Sequence, residues 1–302
     1  MPRPIVTDRF TSRMSWRVEF AALTGCTCTG GGTVPDVPRG RYAVSRSVGA
    51  LVGPGGLAED PCGRRREGVN FMIGPTTPRG RQITRPDVIL RGEEVGAGPT
   101  FLLLHAGGER RQVWGPVSEV LVDAGYRCVA FDQRGHGDSE GSAQTLSACA
   151  DDVAAMVRAE PLASVVVGAS LGGLAAIAAL TDPAVRAWVA GLVLVDVVPC
   201  LDPSRVRRFL ASVGPLGAHT ELVEDILAQV PRLRQTTAEL DLPVLLVHGD
   251  NGSSLTDEDI DQLLHLAPHT TVRPIQGAGH LIARNQPVAL AQAVIATTTA
   301  WR

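Results

Sequence analysis

The stretch that decides the fold is Ala163-Ser164-Val165-Val166-Val167-Gly168-Ala169-Ser170-Leu171-Gly172-Gly173-Leu174-Ala175-Ala176. A β-branched run ends at Gly168, a serine follows, and an alanine-rich helical pattern begins directly after it. This order predicts a strand, a sharp turn and a helix. Such a turn holds the serine in strained backbone angles, so the residues two before and two after it must be small. Gly168 and Gly172 meet that requirement, and Ser170 becomes the first candidate functional residue.

Strand and helix patterns alternate on both sides of this stretch. Continuous apolar runs, as expected of strands covered on both faces, lie at 100–105, 126–131, 191–196 and 242–250, with a last strand at 270–275 and an outer one at 87–91. Helical spacing of apolar residues covers 113–122, 146–157, 171–180, 257–266 and 287–299. The alternation predicts an α/β fold over residues 84–302, with a doubly wound, mostly parallel sheet and helices on both faces.

The strand pattern stops between Pro199 and Asp241. Apolar residues there fit one short helix at 206–213 and a second at 222–230. We therefore expect an insertion at about 199–241, made of two or three helices that form a short lid.

Composition narrows the classes of partner. A hydrophobic content of 44% in 302 residues is ample for a sizeable core, and a net charge of −3 gives no indication of a nucleic-acid partner. The six cysteines lack paired zinc spacing, so neither a metal site nor a disulfide scaffold is predicted. No apolar run is long enough to span a bilayer. Since Cys128 lies in a predicted core strand, we expect a reduced thiol and a cytoplasmic location. The expected partner is a small-molecule substrate.

The first 83 residues form a separate compositional segment. They are rich in Arg, Gly and Pro and show no sustained period of 2 or 3.6, which predicts a disordered leader. A translation start placed too far upstream would give the same pattern, with Met72 as the true start. Leu23-Thr24-Gly25-Cys26 is similar to a lipoprotein cleavage box, but the segment before it is short and broken by Arg17 and Glu19.

Two of these motifs carry a family resemblance. Gly168-Ala169-Ser170-Leu171-Gly172 resembles the G-x-S-x-G nucleophile elbow of the α/β-hydrolase superfamily. Asp132-Gln133-Arg134-Gly135-His136-Gly137-Asp138-Ser139 resembles the D-x-R-G-x-G-x-S loop of the same superfamily. The resemblance implies a serine hydrolase of the esterase and lipase branch, without a cofactor, that cleaves a small and largely apolar ester.

Other functions stay open at this point. A catalytically weak protein whose pocket binds a ligand would carry the same fold. A C–C bond hydrolase, a lactonase or a perhydrolase would use the same catalytic triad. The serine at the elbow argues against dehalogenase and epoxide hydrolase activity, because those relatives attack with an aspartate at that position.

The resemblance also implies roles for individual residues. Ser170 would be the nucleophile, and His280, in a glycine-rich loop after the last strand, would be the base. The backbone N–H groups of Gly107 and Leu171 would form the oxyanion hole, with Gly108 as an alternative donor. Ala106 stands where most relatives have a glycine.

The acid of the triad is not decided by the sequence. Most relatives carry it three or four residues after the glycine that ends the seventh strand, where this chain has Gly252 and Ser253. Asp196, at the end of the sixth strand, matches the placement of a minority of relatives. Asp250 is the alternative, and a site without an effective acid is the third possibility.

Other polar residues near these loops receive structural interpretations. The resemblance makes His105 and His136 structural rather than catalytic. Arg110 and Arg111 follow the oxyanion loop and are candidates for binding a substrate carboxylate, although arginines at a helix start are more often only solvated.

Overall fold

The computed structural model describes residues 77–213 and 220–301. The leader therefore lies almost entirely outside the described residues, as do the segment around Cys26 and Met72. A strand at Arg79–Thr84 lies just before the predicted domain boundary at residue 84.

The described residues contain eight strands in one sheet. They are β1 (Arg79–Thr84), β2 (Ile89–Gly96), β3 (Thr100–Leu104), β4 (Arg127–Phe131), β5 (Ser164–Ala169), β6 (Val189–Val195), β7 (Val244–Gly249) and β8 (Thr271–Ile275). Their spatial order is β1-β2-β4-β3-β5-β6-β7-β8. The β1–β2 and β2–β4 pairs are antiparallel and every other pair is parallel. The predicted doubly wound, mostly parallel sheet is confirmed.

The helices of the described residues are α1 (Gly115–Asp123), α2 (Leu146–Arg158), α3 (Leu171–Ala179), α4 (Pro183–Arg186), α5 (Pro203–Val213), α6 (Thr220–Ala228), α7 (Val230–Ala238), α8 (Asp257–Leu266), α9 (Ile282–Asn285) and α10 (Pro287–Thr298). Short 3₁₀ segments precede α1 at Arg111–Trp114 and follow α10 at Thr299–Trp301.

Two apolar layers cover the faces of the sheet, and alternation along β3 shows why. Leu102 and Leu104 pack into the layer that contains α2, α3 and α7, whereas Phe101 and Leu103 pack into the layer that contains α1, α9 and α10. Successive side chains of a strand point to opposite faces, so a strand covered on both sides must be apolar throughout. All five residues of β3 are buried.

The insertion predicted at about 199–241 contains α5, α6 and α7. Leu222 and Ile226 of α6 and Leu233 of α7 belong to the apolar layer around α3, so these two helices are joined to the core. α5 is held mainly by charge pairs. Arg205 forms two hydrogen bonds of 2.6 Å with Asp259 at the start of α8, and Arg207 pairs with Glu224 of α6 at 2.7 Å.

Candidate active site

Ser170 stands in the turn between β5 and α3, with φ = 47° and ψ = −114°. Glycine makes this turn possible at two places. A Cβ atom added to Gly168 would lie 2.5 Å from the Cα of Gly173, and one added to Gly172 would lie 2.5 Å from the carbonyl oxygen of Leu104. Only because these side chains are missing can α3 begin directly against β3 and β5.

A buried acid lies beside the histidine that follows the last strand. His280 Nδ1 is 2.9 Å from Asp196 Oδ2. The Asp196 side chain is fully buried, whereas His280 keeps 15% of its side chain exposed. Asp196 directly follows β6 and has φ = 51°, a left-handed conformation that is uncommon for a residue other than glycine. Asp196 and Ser170 are the two residues other than glycine with positive φ in the described part of the chain.

The Asp196 carboxylate receives hydrogen bonds on both oxygens. Oδ1 accepts from the backbone N–H of Gly249 at 3.0 Å and from the hydroxyl of Ser253 at 2.6 Å. Oδ2 accepts from the backbone N–H and the hydroxyl of Ser254, at 3.2 and 3.3 Å, in addition to His280. Burial alone would raise the pKa of Asp196, but hydrogen bonds from His280, Ser253 and Gly249 outweigh it, so the pKa lies below its usual value. The group is an anion at neutral pH.

Asp250, the alternative acid, is placed elsewhere. Its side chain is exposed, and its Oδ1 accepts a hydrogen bond of 2.6 Å from the backbone N–H of Gly277. The contact closes the loop after β8 rather than orienting the imidazole. Of the two carboxylates that the sequence left open, the structure brings Asp196 to His280.

The oxyanion loop lies against the start of α3. A Cβ atom added to Gly107 would be 3.8 Å from the Cβ of Leu171. Leu171 is the first residue of α3, so its N–H has no partner within the helix. The N–H of Gly108 donates to His136 Nε2 at 3.0 Å. The N–H of Gly108, the alternative oxyanion donor predicted from the sequence, is therefore already engaged.

Two histidines join the oxyanion loop to the loop after β4. His105 accepts a hydrogen bond at Nε2 from the backbone N–H of Gln133 at 3.0 Å, and its Nδ1 lies 2.8 Å from the carbonyl oxygen of Ala106. His136 Nδ1 lies 2.9 Å from the carbonyl oxygen of Arg134, so it carries the proton and Nε2 accepts from Gly108. Burial is the largest reason why the pKa of His105 is lowered to about 4. Their contacts are those of structural residues.

Arg111, a candidate for binding a substrate carboxylate, already has carboxylate partners within the protein. Its guanidinium already pairs with the carboxylates of Asp132, Asp138 and Glu93, and its backbone N–H donates to Asp132 at 2.7 Å. These contacts hold the loop after β4 and leave Arg111 engaged. Arg110 is exposed and forms no ion pair with a described residue.

The structure contains a charged pair beside the site that the sequence did not indicate. The Glu109 side chain is 6% exposed, and its Oε1 lies 3.0 Å from Nη2 of Arg284 in α9. Burial raises the pKa of Glu109 above its usual value despite this partner. The pair ties the oxyanion loop to the segment that follows His280. The only sign of this pair in the sequence is that an acidic residue, Glu109, directly follows Gly107 and Gly108.

α5 approaches the same site. The ring of Phe209 lies edge-on to the His280 imidazole, with 4.9 Å between ring centroids and an interplanar angle of 72°. The aromatic contact shields one side of the imidazole from water.

The described residues contain no group of three or more His, Cys, Asp or Glu side chains placed to hold a metal ion. Within the same ranges, no helix has both the length and the apolar character needed to cross a membrane.

A serine on a strained turn between a strand and a helix, together with a histidine paired with a buried carboxylate, is typical of the α/β-hydrolase fold. Comparisons with known proteins agree. Residues 99–243 match the family model described as alpha/beta hydrolase fold. An esterase of Mycobacterium tuberculosis is 30% identical over 187 residues, which is 60% of this chain and 51% of that protein. A pimeloyl-[acyl-carrier protein] methyl ester esterase of Xanthomonas campestris is 31% identical over 229 residues, covering 62% of this chain and 89% of that protein.

Solved structures show the same relationship. An esterase from Thermogutta terrifontis superposes with a TM-score of 0.61 and 25% identity, over 74% of this chain and 99% of that one. The chain spans about half the length of the mycobacterial esterase. The chain belongs to the alpha/beta hydrolase family.

Proposed function

We propose that this protein is a serine hydrolase that cleaves a small, largely apolar ester through an acyl-enzyme intermediate. The observation that carries the proposal is the 2.9 Å pair of His280 and the buried Asp196 at the sheet edge where the strained Ser170 turn lies. Open parallel sheets collect their functional groups beyond the carboxyl ends of the strands. Ser170 and Asp196 follow β5 and β6 directly, and His280 follows β8 by a short loop.

The proposed reaction has two halves. The Ser170 hydroxyl attacks the ester carbonyl carbon while His280 Nε2 takes its proton, and the N–H groups of Gly107 and Leu171 stabilise the oxyanion. The histidine then gives that proton to the leaving alcohol, and an acyl-serine remains. Water, deprotonated by the same imidazole, attacks the acyl-serine. The bond between the acyl carbon and Ser170 Oγ breaks, the imidazolium returns its proton to Oγ, and the carboxylic acid is released. Asp196 holds the imidazole in the tautomer with its proton on Nδ1 and stabilises the imidazolium.

Esters are favoured as the substrate class by two facts. The relatives named above are called esterases, and the Xanthomonas protein is named for a methyl ester. The apolar side chains of α5, including Phe209 at the imidazole, suit an apolar acyl or alkyl group, and α5 would act as the lid. Three described cysteines, Cys128, Cys149 and Cys200, are buried free thiols, which supports the proposal of a reducing, cytoplasmic location.

The test is acylation of the serine. A fluorophosphonate probe should add one adduct to the wild-type protein by intact mass, and p-nitrophenyl acetate and butyrate should be hydrolysed. Ser170→Ala should abolish both, and His280→Ala should nearly abolish both. Ser142→Ala, at an exposed loop serine, is the matched control and should behave as wild type. An unlabelled, inactive wild-type protein that still binds apolar ligands would refute the enzyme and favour a binding protein.

A further inference from the structure

The loop after β7 reaches across the sheet edge to Asp196. Ser253 and Ser254 occupy this loop. Ser253 donates to Asp196 Oδ1 at 2.6 Å and itself accepts from the N–H of Leu255 at 3.0 Å. Ser254 donates to Oδ2 through both its N–H and its hydroxyl. Ser253 and Ser254 thus supply three of the hydrogen-bond donors to Asp196, although Asp196 follows a different strand.

These contacts decide where the acid points. Asp196 follows β6 with φ = 51°, and its Oδ1 also accepts a hydrogen bond from the N–H of Gly249. Each carboxylate oxygen is fixed by a serine, Oδ1 by Ser253 and Oδ2 by Ser254, so the carboxylate cannot rotate away from His280 without breaking a charge-assisted hydrogen bond. Because the group is fully buried, a lost donor would not be replaced by bulk water.

Ser254 has a second contact that Ser253 lacks. Its Oγ lies 3.1 Å from His280 Nδ1, only slightly farther than the 2.9 Å of Asp196 Oδ2. Since the hydroxyl donates its own proton to Asp196, it accepts part of the Nδ1–H bond. With its proton on Nδ1, the imidazole has two acceptors within reach, Asp196 Oδ2 and Ser254 Oγ.

We infer that Ser253 and Ser254 are positioning residues for the Asp196–His280 pair, and that residue 254 is a second place from which a carboxylate can orient His280. In an aspartate at 254, Cγ would fall near the present Oγ, and its oxygens would extend one bond of about 1.2 Å further. A starting separation of 3.1 Å brings such an oxygen within hydrogen-bond reach of Nδ1. The inference rests on the proposed hydrolase function.

The first test is a pH profile of kcat/KM for p-nitrophenyl butyrate. Ser253→Ala removes one donor from Asp196, which makes the carboxylate the stronger acceptor for the His280 proton and stabilises the imidazolium. The apparent pKa of the acidic limb should therefore move upward. Because the carboxylate is also held by one donor fewer, it orients the imidazole less well, so kcat should fall about tenfold while KM changes little. Ser253→Thr, which keeps the hydroxyl, should restore the wild-type limb. A residue that only supported the fold would lower the unfolding temperature and leave the limb in place.

The second test is relocation of the acid. The double variant Asp196→Asn/Ser254→Asp should be at least ten times more active than Asp196→Asn alone, with Ser147→Ala, an exposed serine of α2, as the control. A folded double variant no more active than the single one overturns the second place for the acid, and an unmoved limb in Ser253→Ala overturns the positioning role. If the double variant does not fold, the acidic limb of the Ser253→Ala pH profile decides whether the inference stands. Failure of the proposed function looks different, because the wild-type protein itself would then be inactive and unlabelled.

Discussion

The substitution Gly172→Ala tests the elbow geometry most directly. The added methyl would lie 2.5 Å from the Leu104 carbonyl oxygen, 2.7 Å from its Cβ and 2.8 Å from its carbonyl carbon. Real Cβ atoms essentially never approach other atoms this closely, and two of the three are backbone atoms that no rotamer change can move. Overpacking of this kind costs about 1–3 kcal/mol, and we expect the upper end, about 3 kcal/mol.

The assay separates this cost from the general effect of replacing glycine. Gly80→Ala is the matched control, because a Cβ at this exposed position in β1 meets nothing within 4 Å. Alanine there should leave stability unchanged or raise it by about 0.5–1 kcal/mol. At about 2–4 °C per kcal/mol for a domain of this size, Gly172→Ala should unfold roughly 6–12 °C below wild type, as followed by circular dichroism.

Activity should fall with stability in Gly172→Ala but for a different reason. To relieve the contact, the start of α3 must move away from β3, and the N–H of Leu171 moves with it. A displacement of about 1 Å at a catalytic group costs on the order of a hundredfold in rate. If Gly172→Ala unfolds at the wild-type temperature and hydrolyses p-nitrophenyl butyrate at the wild-type rate, the argument from close packing is refuted.

Three further predictions concern charged groups. Asp196→Asn should lower kcat for p-nitrophenyl butyrate by about 10³- to 10⁴-fold, while Asp250→Asn should stay near wild type; equal losses in the two variants would contradict the assignment. Arg284→Ala should lower the free energy of unfolding in urea by about 1–2 kcal/mol, because it leaves the Glu109 carboxylate buried without its partner. Adding Glu109→Gln should recover most of this loss. If the double variant recovers nothing, the Glu109–Arg284 pair is not the cause of the loss. The pKa of His105 is about 4 in the folded protein against 6.5 ordinarily, so only the unfolded chain gains a proton as the pH falls from 6.5. The free energy of unfolding in urea should therefore fall by about 3 kcal/mol by pH 4. His105→Gln should be less stable at pH 7 but show a flatter pH dependence, and an unchanged slope would contradict this.

The parts of the fold that the sequence predicted well are those where burial dictates the pattern. α8 was predicted at 257–266 and lies at Asp257–Leu266, because its start carries a capping box between Thr256 and Asp259. β1 was missed because its sequence RGRQIT is polar and its burial is partial. It is held by ion pairs that no local pattern reveals, since Arg81 bonds Glu94 at 2.7 Å and Glu160 at 3.1 Å.

In the candidate site, too, residues in local motifs could be predicted and residues that depend on distant contacts could not. Ser170 and His280 lie in motifs whose spacing is local, so the sequence was sufficient to propose them. The choice between Asp196 and Asp250 was not local, since both follow a buried strand and the outcome depends on the left-handed backbone at Asp196 and on serines 57 and 58 positions away. The hydrogen bond from the Gly108 N–H to His136, 28 residues later, could not be predicted for the same reason.

The two left-handed residues differ in what a glycine in their place would change. Glycine adopts that conformation at no steric cost, and relief at such a position is worth about 1 kcal/mol. At Asp196 the gain would be lost, because five donor groups of the surrounding protein, including His280 Nδ1, would be left without their buried acceptor. At Ser170 no described residue hydrogen-bonds the hydroxyl, so nothing comparable opposes the change. A population of variants selected for thermal resistance alone, with no demand for turnover, would therefore discard the nucleophile and retain the acid.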